Sequence, residues 1–201
     1  MNPFNVVKDF ERAVADYTGA PYVVAVNSCT NALFLCLEWH MQKTPKPPAI
    51  EIPKRTYVSI PMQIALVGAR IVFRDEDWRG VYQLKPLPVW DAARRFTSGM
   101  YQQGQFMCTS HHWNKTLGIQ QGGCILHEDA KADAWFRRAR FDGRTEGVDP
   151  KADTFEHIGW HMYMSPEIAA EGLVRLAHLP RYNPDMGMDA YPDLSKIALF
   201  Q

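Results

Sequence analysis

Two residues of this chain are the best suited to chemistry: a lysine in a polar loop and an aspartate that closes an apolar run. Lys115 ends the stretch Ser110-His111-His112-Trp113-Asn114-Lys115, which lies between the apolar residues 106–109 and the pair Gly122-Gly123. Asp91 follows Leu87-Pro88-Val89-Trp90. A lysine beside Trp113 and His112 that is partly withdrawn from water holds its proton less firmly and becomes a nucleophile. An anion at the carboxyl end of a strand sits where open α/β sheets bind ligands. Together they form the pair that pyridoxal phosphate requires: an amine to form a Schiff base, and a carboxylate to keep the pyridine nitrogen protonated.

Two further features suit the same chemistry. The turn Asn27-Ser28-Cys29-Thr30-Asn31 joins an apolar run to a helix, so its amides, its hydroxyls and the positive end of the helix offer a phosphate seat. Tyr57 follows a short apolar run, with Thr56 as a helix cap, and its ring could stack on a flat cofactor. Each residue also has a plainer reading. Ser28 or Thr30 could simply cap a helix, Asp91 could cap one beginning at Ala92-Ala93-Arg94, Tyr57 could be an ordinary half-buried tyrosine, and a loop lysine is usually solvated. The order of the four features along the chain carries the weight.

The elements that must position them follow from periodicity. Phe4, Val7, Phe10, Ala13, Val14 and Tyr17 recur at helical spacing and Gly19 closes that helix. Tyr22-Val23-Val24-Ala25-Val26 has strand length, and a helix over 32–41 follows, broken by Pro45, Pro47 and Pro48. Strands are expected at 49–52, 70–73, 87–90, 106–109 and 124–127, and helices at 58–67, 129–140 and 165–179, with Ser165 capping the last. Alternation of strands and helices predicts an α/β domain: a mostly parallel sheet with helices on both faces.

The chain has 201 residues, 46% of them apolar, and 22 basic against 22 acidic side chains, which is enough for a sizeable core and argues against disorder. A neutral balance without a basic run gives no footprint for nucleic acid or a membrane surface. No apolar stretch reaches the length of a membrane span, and Met1-Asn2-Pro3-Phe4 does not open a signal peptide. Four scattered cysteines without a CxxC pair point to small buried thiols in a reducing cytoplasm rather than to zinc or disulfides, so no metal is expected.

Six motifs in order give the chain a likeness to a known family. Phe10-Glu11 with Tyr17-Thr18-Gly19-Ala20, Val24-Ala25-Val26-Asn27-Ser28-Cys29-Thr30-Asn31-Ala32-Leu33, Ile52-Pro53-Lys54-Arg55-Thr56-Tyr57-Val58-Ser59 with Val67-Gly68-Ala69-Arg70-Ile71-Val72-Phe73, Asp91-Ala92-Ala93, Ser110 through Lys115 with Gly122-Gly123, and residues 159–170 together resemble the DegT-type sugar-nucleotide aminotransferases, pyridoxal-phosphate enzymes of the aspartate aminotransferase fold. The resemblance implies a fold-type I large domain over 1–158 in shortened form, and a remnant of the small domain over 159–201. It implies that Lys115 carries the cofactor and moves a proton between substrate and cofactor, that Asp91 pairs with the pyridine nitrogen and that Tyr57 stacks on the ring. Cys29, Thr30 and Ser110 would hold the phosphate, His112 would support the pocket, and His161 would reach the phosphate of a neighbouring subunit in a homodimer.

Three departures accompany that likeness. Arg94 stands where the family usually has a glutamine near the cofactor's 3-hydroxyl, and His161 and Tyr163 replace an asparagine and an arginine. The family is also about twice as long. Only residues 74–86 join two expected strands, barely enough for a crossover, so a sheet one strand narrower is expected, with 49–52 directly beside 87–90. The activity implied is transfer of an amino group, with glutamate as donor, to a keto-sugar nucleotide. The alternatives are another reaction of the same cofactor, or a non-catalytic dimeric binder of pyridoxal phosphate or a sugar nucleotide. Tyr191-Pro192-Asp193-Leu194 and Leu199-Phe200 are expected to serve as a docking tail against a second subunit or to be loosely ordered.

Overall fold

The computed structural model describes residues 2–44, 46–188 and 191–200. Pro45, one of the expected helix breakers, Met1, and residues 189, 190 and 201 of the expected C-terminal unit lie outside the described residues. Helix α1 (Asn5–Thr18) buries Val7, Phe10 and Val14, which return at intervals of three and four, and Gly19 closes it at a positive φ of 79° with its N–H on the Ala15 carbonyl. Strand β1 (Tyr22–Val26) is buried after its first residue, and α2 (Cys29–Met41) is apolar on nearly all sides because it packs between layers. Strand β2 (Ala49–Pro53), helix α3 (Ser59–Leu66) and strand β3 (Arg70–Arg74) form a parallel crossover unit. Strands β4 (Tyr82–Leu84), β5 (Val89–Asp91), β6 (Phe106–Ser110) and β7 (Gly123–His127) follow, then α4 (Ala130–Ala139) and α5 (Pro166–Ala177). Asp129 and Ser165 cap these last two helices through their side chains.

The main sheet has the order β1-β7-β6-β5-β4. Helices α1 and α5 cover one face with Phe10, Val14, Ile168 and Leu176, while α2 and α4 cover the other with Leu33, Leu37, Trp135 and Phe136. An α/β domain with helices on both faces is therefore what forms.

Strand direction and neighbourhood differ from expectation. The sheet is mixed, not mostly parallel: β5 and β6 run parallel, whereas β1–β7, β7–β6 and β5–β4 are antiparallel. Four residues join β4 to β5, which permits only a hairpin return, and the loop over 111–122 brings β7 back against β6 without a crossover helix. Strand 49–52 is not beside 87–90 either. β4 lies between them, and β2 meets it through paired backbone hydrogen bonds between Glu51 and Lys85 of 2.8 and 3.1 Å. The connection over 74–86 was too short for a helix but long enough to supply a strand.

The tail docks on its own chain. Leu194 is buried, its N–H donates to the Lys54 carbonyl at 2.8 Å, Asp193 bridges to Arg55, and the Phe200 ring is 6.3 Å from that of Phe73. These contacts are not those of a loose end, and they leave Leu199 of the same tail exposed.

Candidate active site

The end of β1 delivers the turn expected to seat a phosphate. Ser28 is in extended conformation and its Oγ accepts the Asn31 N–H at 3.1 Å, so it caps α2. Capping and ligand seating are compatible here, because the same turn opens onto a cavity lined by Ser28, Cys29 and Thr30 at the positive end of α2. Thr30 Oγ1 lies 2.9 Å from Ser59 Oγ, which ties α2 to the start of α3. Gly123 is required by this approach. A Cβ there would stand 2.6 Å from Cys29 N and 2.7 Å from the Ser28 carbonyl carbon.

Asp91 ends β5 and is buried. Its Oδ1 accepts the Ala93 N–H at 2.8 Å and its Oδ2 accepts the Tyr82 hydroxyl at 2.8 Å. No helix starts after it, so it caps a turn rather than a helix. Burial raises its pKa, opposed by the Ala93 and Tyr82 hydrogen bonds and by the charges of Lys115 and Arg94. Lys115 sits in the loop after β6, held by its N–H on the His112 carbonyl at 2.8 Å. Burial lowers its pKa first and the Arg94 charge second, against Asp91 and Cys29, which raise it. An amine thus loosened from its proton is suited to attack on a carbonyl carbon.

A cavity of about 400 Å³ gathers these groups. Cys29, Thr30, Tyr57, Asp91, Arg94, Ser110, His112 and Lys115 all line it. Tyr57 is 54% exposed, with its ring 6.3 Å from that of Tyr191. It does not open a helix: α3 begins at Ser59, and Thr56, instead of capping it, is buried with Oγ1 2.6 Å from the Tyr82 hydroxyl. His112 is exposed at the rim, with Nδ1 2.9 Å from Asn114 Oδ1. Arg94 donates from Nε to the Tyr191 hydroxyl at 3.1 Å. His161 is the exception, since in the single chain it is exposed away from the cavity, with Nδ1 2.9 Å from Asp142 Oδ2 and its ring 4.5 Å from Tyr163.

Several cavity residues escaped sequence reasoning. Trp78 and Tyr191 form one wall, their rings nearly parallel at 6.1 Å, and Ile60 and Gln121 also line it. Tyr191 arrives from the tail and Trp78 from the connection over 74–86, and neither position carries a local signal of its neighbours. A larger cavity of about 570 Å³ beside α4 is bordered by arginines already committed elsewhere: Arg137 to Glu11 and Asp133, Arg138 to Asp153 and Glu156. Among the described residues no cluster of side chains could hold a metal ion, and no helix is long and apolar enough to cross a membrane.

The sequence matches the model of the DegT/DnrJ/EryC1/StrS aminotransferase family over residues 2–100. No match is found among curated proteins. Solved structures with the same fold include the sugar aminotransferase CalS13 from Micromonospora echinospora, at 20% identity and a TM-score of 0.73, covering 87% of this chain and 60% of that one. A DegT DnrJ EryC1 StrS aminotransferase from Brucella abortus is 21% identical, with a TM-score of 0.67 over 87% of this chain and 58% of that one. DesV from S. venezuelae, solved in complex with a ketimine intermediate, is 20% identical, with a TM-score of 0.67 over 87% of this chain and 57% of that one. The chain thus spans about 60% of the length of these solved proteins. The match over residues 2–100 makes this chain similar to the DegT/DnrJ/EryC1/StrS aminotransferase family, and the solved structures show that it shares their fold.

Proposed function

We propose that the protein is a pyridoxal-phosphate-dependent aminotransferase that takes an amino group from glutamate and delivers it to a keto-sugar nucleotide. One observation carries this reading: Lys115, Asp91 and the hydroxyl-lined turn at the start of α2 all reach the same cavity. The residues fit the cofactor on their own terms. A buried carboxylate without a guanidinium or ammonium hydrogen-bond partner among the described residues suits a protonated ring nitrogen, and Ser28, Thr30 and Ser110 with the first turn of α2 suit a phosphate. When bound, pyridoxal phosphate supplies an aldehyde for amines and a cationic ring that withdraws electrons.

The chain's own groups would then divide the work. Lys115 Nζ, whose pKa burial and Arg94 lower, would hold the cofactor and afterwards accept and return a proton at the substrate carbon. Asp91 holds a proton on the ring nitrogen. Tyr57 would cover the ring, and Arg94, which also lines the cavity, would face the ring oxygen. His161 would complete the phosphate site of a second subunit in a cytoplasmic homodimer. The family match and the solved sugar aminotransferase support the substrate class.

The test is a visible absorption spectrum on adding pyridoxal phosphate, then glutamate. The wild type should acquire a band that Lys115→Ala lacks, and glutamate should bleach it. A band insensitive to glutamate would leave a binder without turnover, and no band in the wild type would refute the cofactor reading.

A further inference from the structure

We propose that Tyr82 is a positioning residue for Asp91, supported in turn by Thr56, through a chain of hydroxyls running behind the cavity; the inference rests on the cofactor reading above. Tyr82 does not line the cavity. It faces Asp91 directly across the antiparallel pair β4–β5, where side chains of opposed residues share a face of the sheet. Its hydroxyl is 2.8 Å from Asp91 Oδ2 and 2.6 Å from Thr56 Oγ1, and all three side chains are buried.

The direction of the protons follows from the donor inventory. An ionised carboxylate only accepts, so the single Tyr82 proton points to Asp91, and Thr56 must donate to the Tyr82 oxygen. A chain in which each donor is itself polarised by the next is stronger than isolated bonds. The Tyr82 ring is held against Trp78, edge to face, with centroids 4.7 Å apart, so the hydroxyl has a fixed direction. Ala93 N–H takes Oδ1 and Tyr82 takes Oδ2, which fixes the plane of the carboxylate. The remaining lone pairs are left for a donor in the cavity. β4 is the strand formed by the short connection over 74–86, so that connection supplies the residue that orients the carboxylate.

Two measurements on Tyr82→Phe test this. The dissociation constant for pyridoxal phosphate, read from the visible band, should rise about tenfold to hundredfold, the loss expected for one hydrogen bond to a charged group. In coenzyme-free protein, the carbon-13 NMR titration of the Asp91 carboxyl should move to higher pH, because a bond that favours the anion is gone. The other groups that bear on Asp91, namely Lys115, Arg94, Cys29, Cys108 and Tyr191, are unchanged in this variant. Thr56→Val should move both readouts in the same direction by less, and Thr56→Ser should restore them. Wild-type affinity and an unmoved midpoint in Tyr82→Phe would overturn the proposal. Should that variant fail to fold, equality of Thr56→Val and Thr56→Ser would overturn it instead. A wild type that never binds the coenzyme would refute the proposed function separately, and the NMR shift would still decide whether Tyr82 governs Asp91.

Discussion

Two buried carboxylates on opposite sides of the sheet are handled in opposite ways. Glu11 of α1 accepts from Arg140, from Arg137 Nη1 at 2.7 Å and from the Ala25 N–H at 2.8 Å. Burial pushes its pKa up, but Arg140 and then Arg137 outweigh it, and the net shift is downward. Asp91 receives only a phenol and an amide, and burial prevails. The first carboxylate is neutralised within the protein and closes the packing of α1, β1 and α4. The second is oriented at a cavity wall and feels the charges of Lys115 and Arg94 without a hydrogen bond from either among the described residues. A buried anion without a cationic hydrogen-bond partner costs stability unless a ligand supplies the cation, which is the contrast the proposed role of Asp91 draws with Glu11.

Removing each carboxylate should separate these roles. Glu11→Leu leaves the buried Arg140 guanidinium with only the longer ion pair to Glu146 and should cost about 3–5 kcal/mol of unfolding free energy, read by urea denaturation, with the proposed activity lost only through unfolding. Asp91→Asn should do the reverse. Coenzyme-free stability should stay within about 1 kcal/mol of wild type or rise, while coenzyme affinity falls roughly hundredfold. Equal destabilisation by the two variants would erase the distinction. Arg137→Met is milder, since Arg137 is partly exposed and Arg140 remains on Glu11. About 1 kcal/mol is expected, shrinking in high salt.

The smallest effect is in the pH dependence, and the signs differ. Glu11 binds its proton more weakly when folded than its ordinary 4.5, so its stabilisation is complete above that value and is lost as pH falls toward the folded pKa. Asp91 binds its proton more tightly when folded than its ordinary 3.8, so stability declines as pH rises from 3.8 to the folded pKa and is level beyond it. Asp91→Asn should flatten the second slope alone and Glu11→Leu the first alone, in coenzyme-free protein followed by thermal melts at stepped pH.

The legible part of the molecule is local. α1, β1 and the cap at Ser28 follow from apolar spacing and from hydroxyl chemistry at a helix start, and the loop Ser110–Lys115 and Asp91 stand out because both end apolar runs. Whether a strand runs parallel or antiparallel is not written in an apolar run, which is why the antiparallel course of β7 against β1 and β6 departs from expectation. β4 itself is only Tyr82-Gln83-Leu84, too short for alternation to show. Tyr191 lies in the cavity because Asp193 and Leu194 dock on Arg55 and Lys54, contacts between residues more than a hundred positions apart. His161 shows the opposite case, a residue whose suggested role comes from resemblance and whose surroundings within one chain are Asp142 and Tyr163.

Trapping the cofactor on the protein is the most direct test of where the chemistry sits. Pyridoxal phosphate should be added to the folded protein, the carbon–nitrogen bond reduced with borohydride, and the digest mapped by mass spectrometry. The phosphopyridoxyl group is expected on Lys115 alone, and on no residue in Lys115→Ala. Modification of another lysine in its place, or none in the wild type, would contradict the assignment of this cavity.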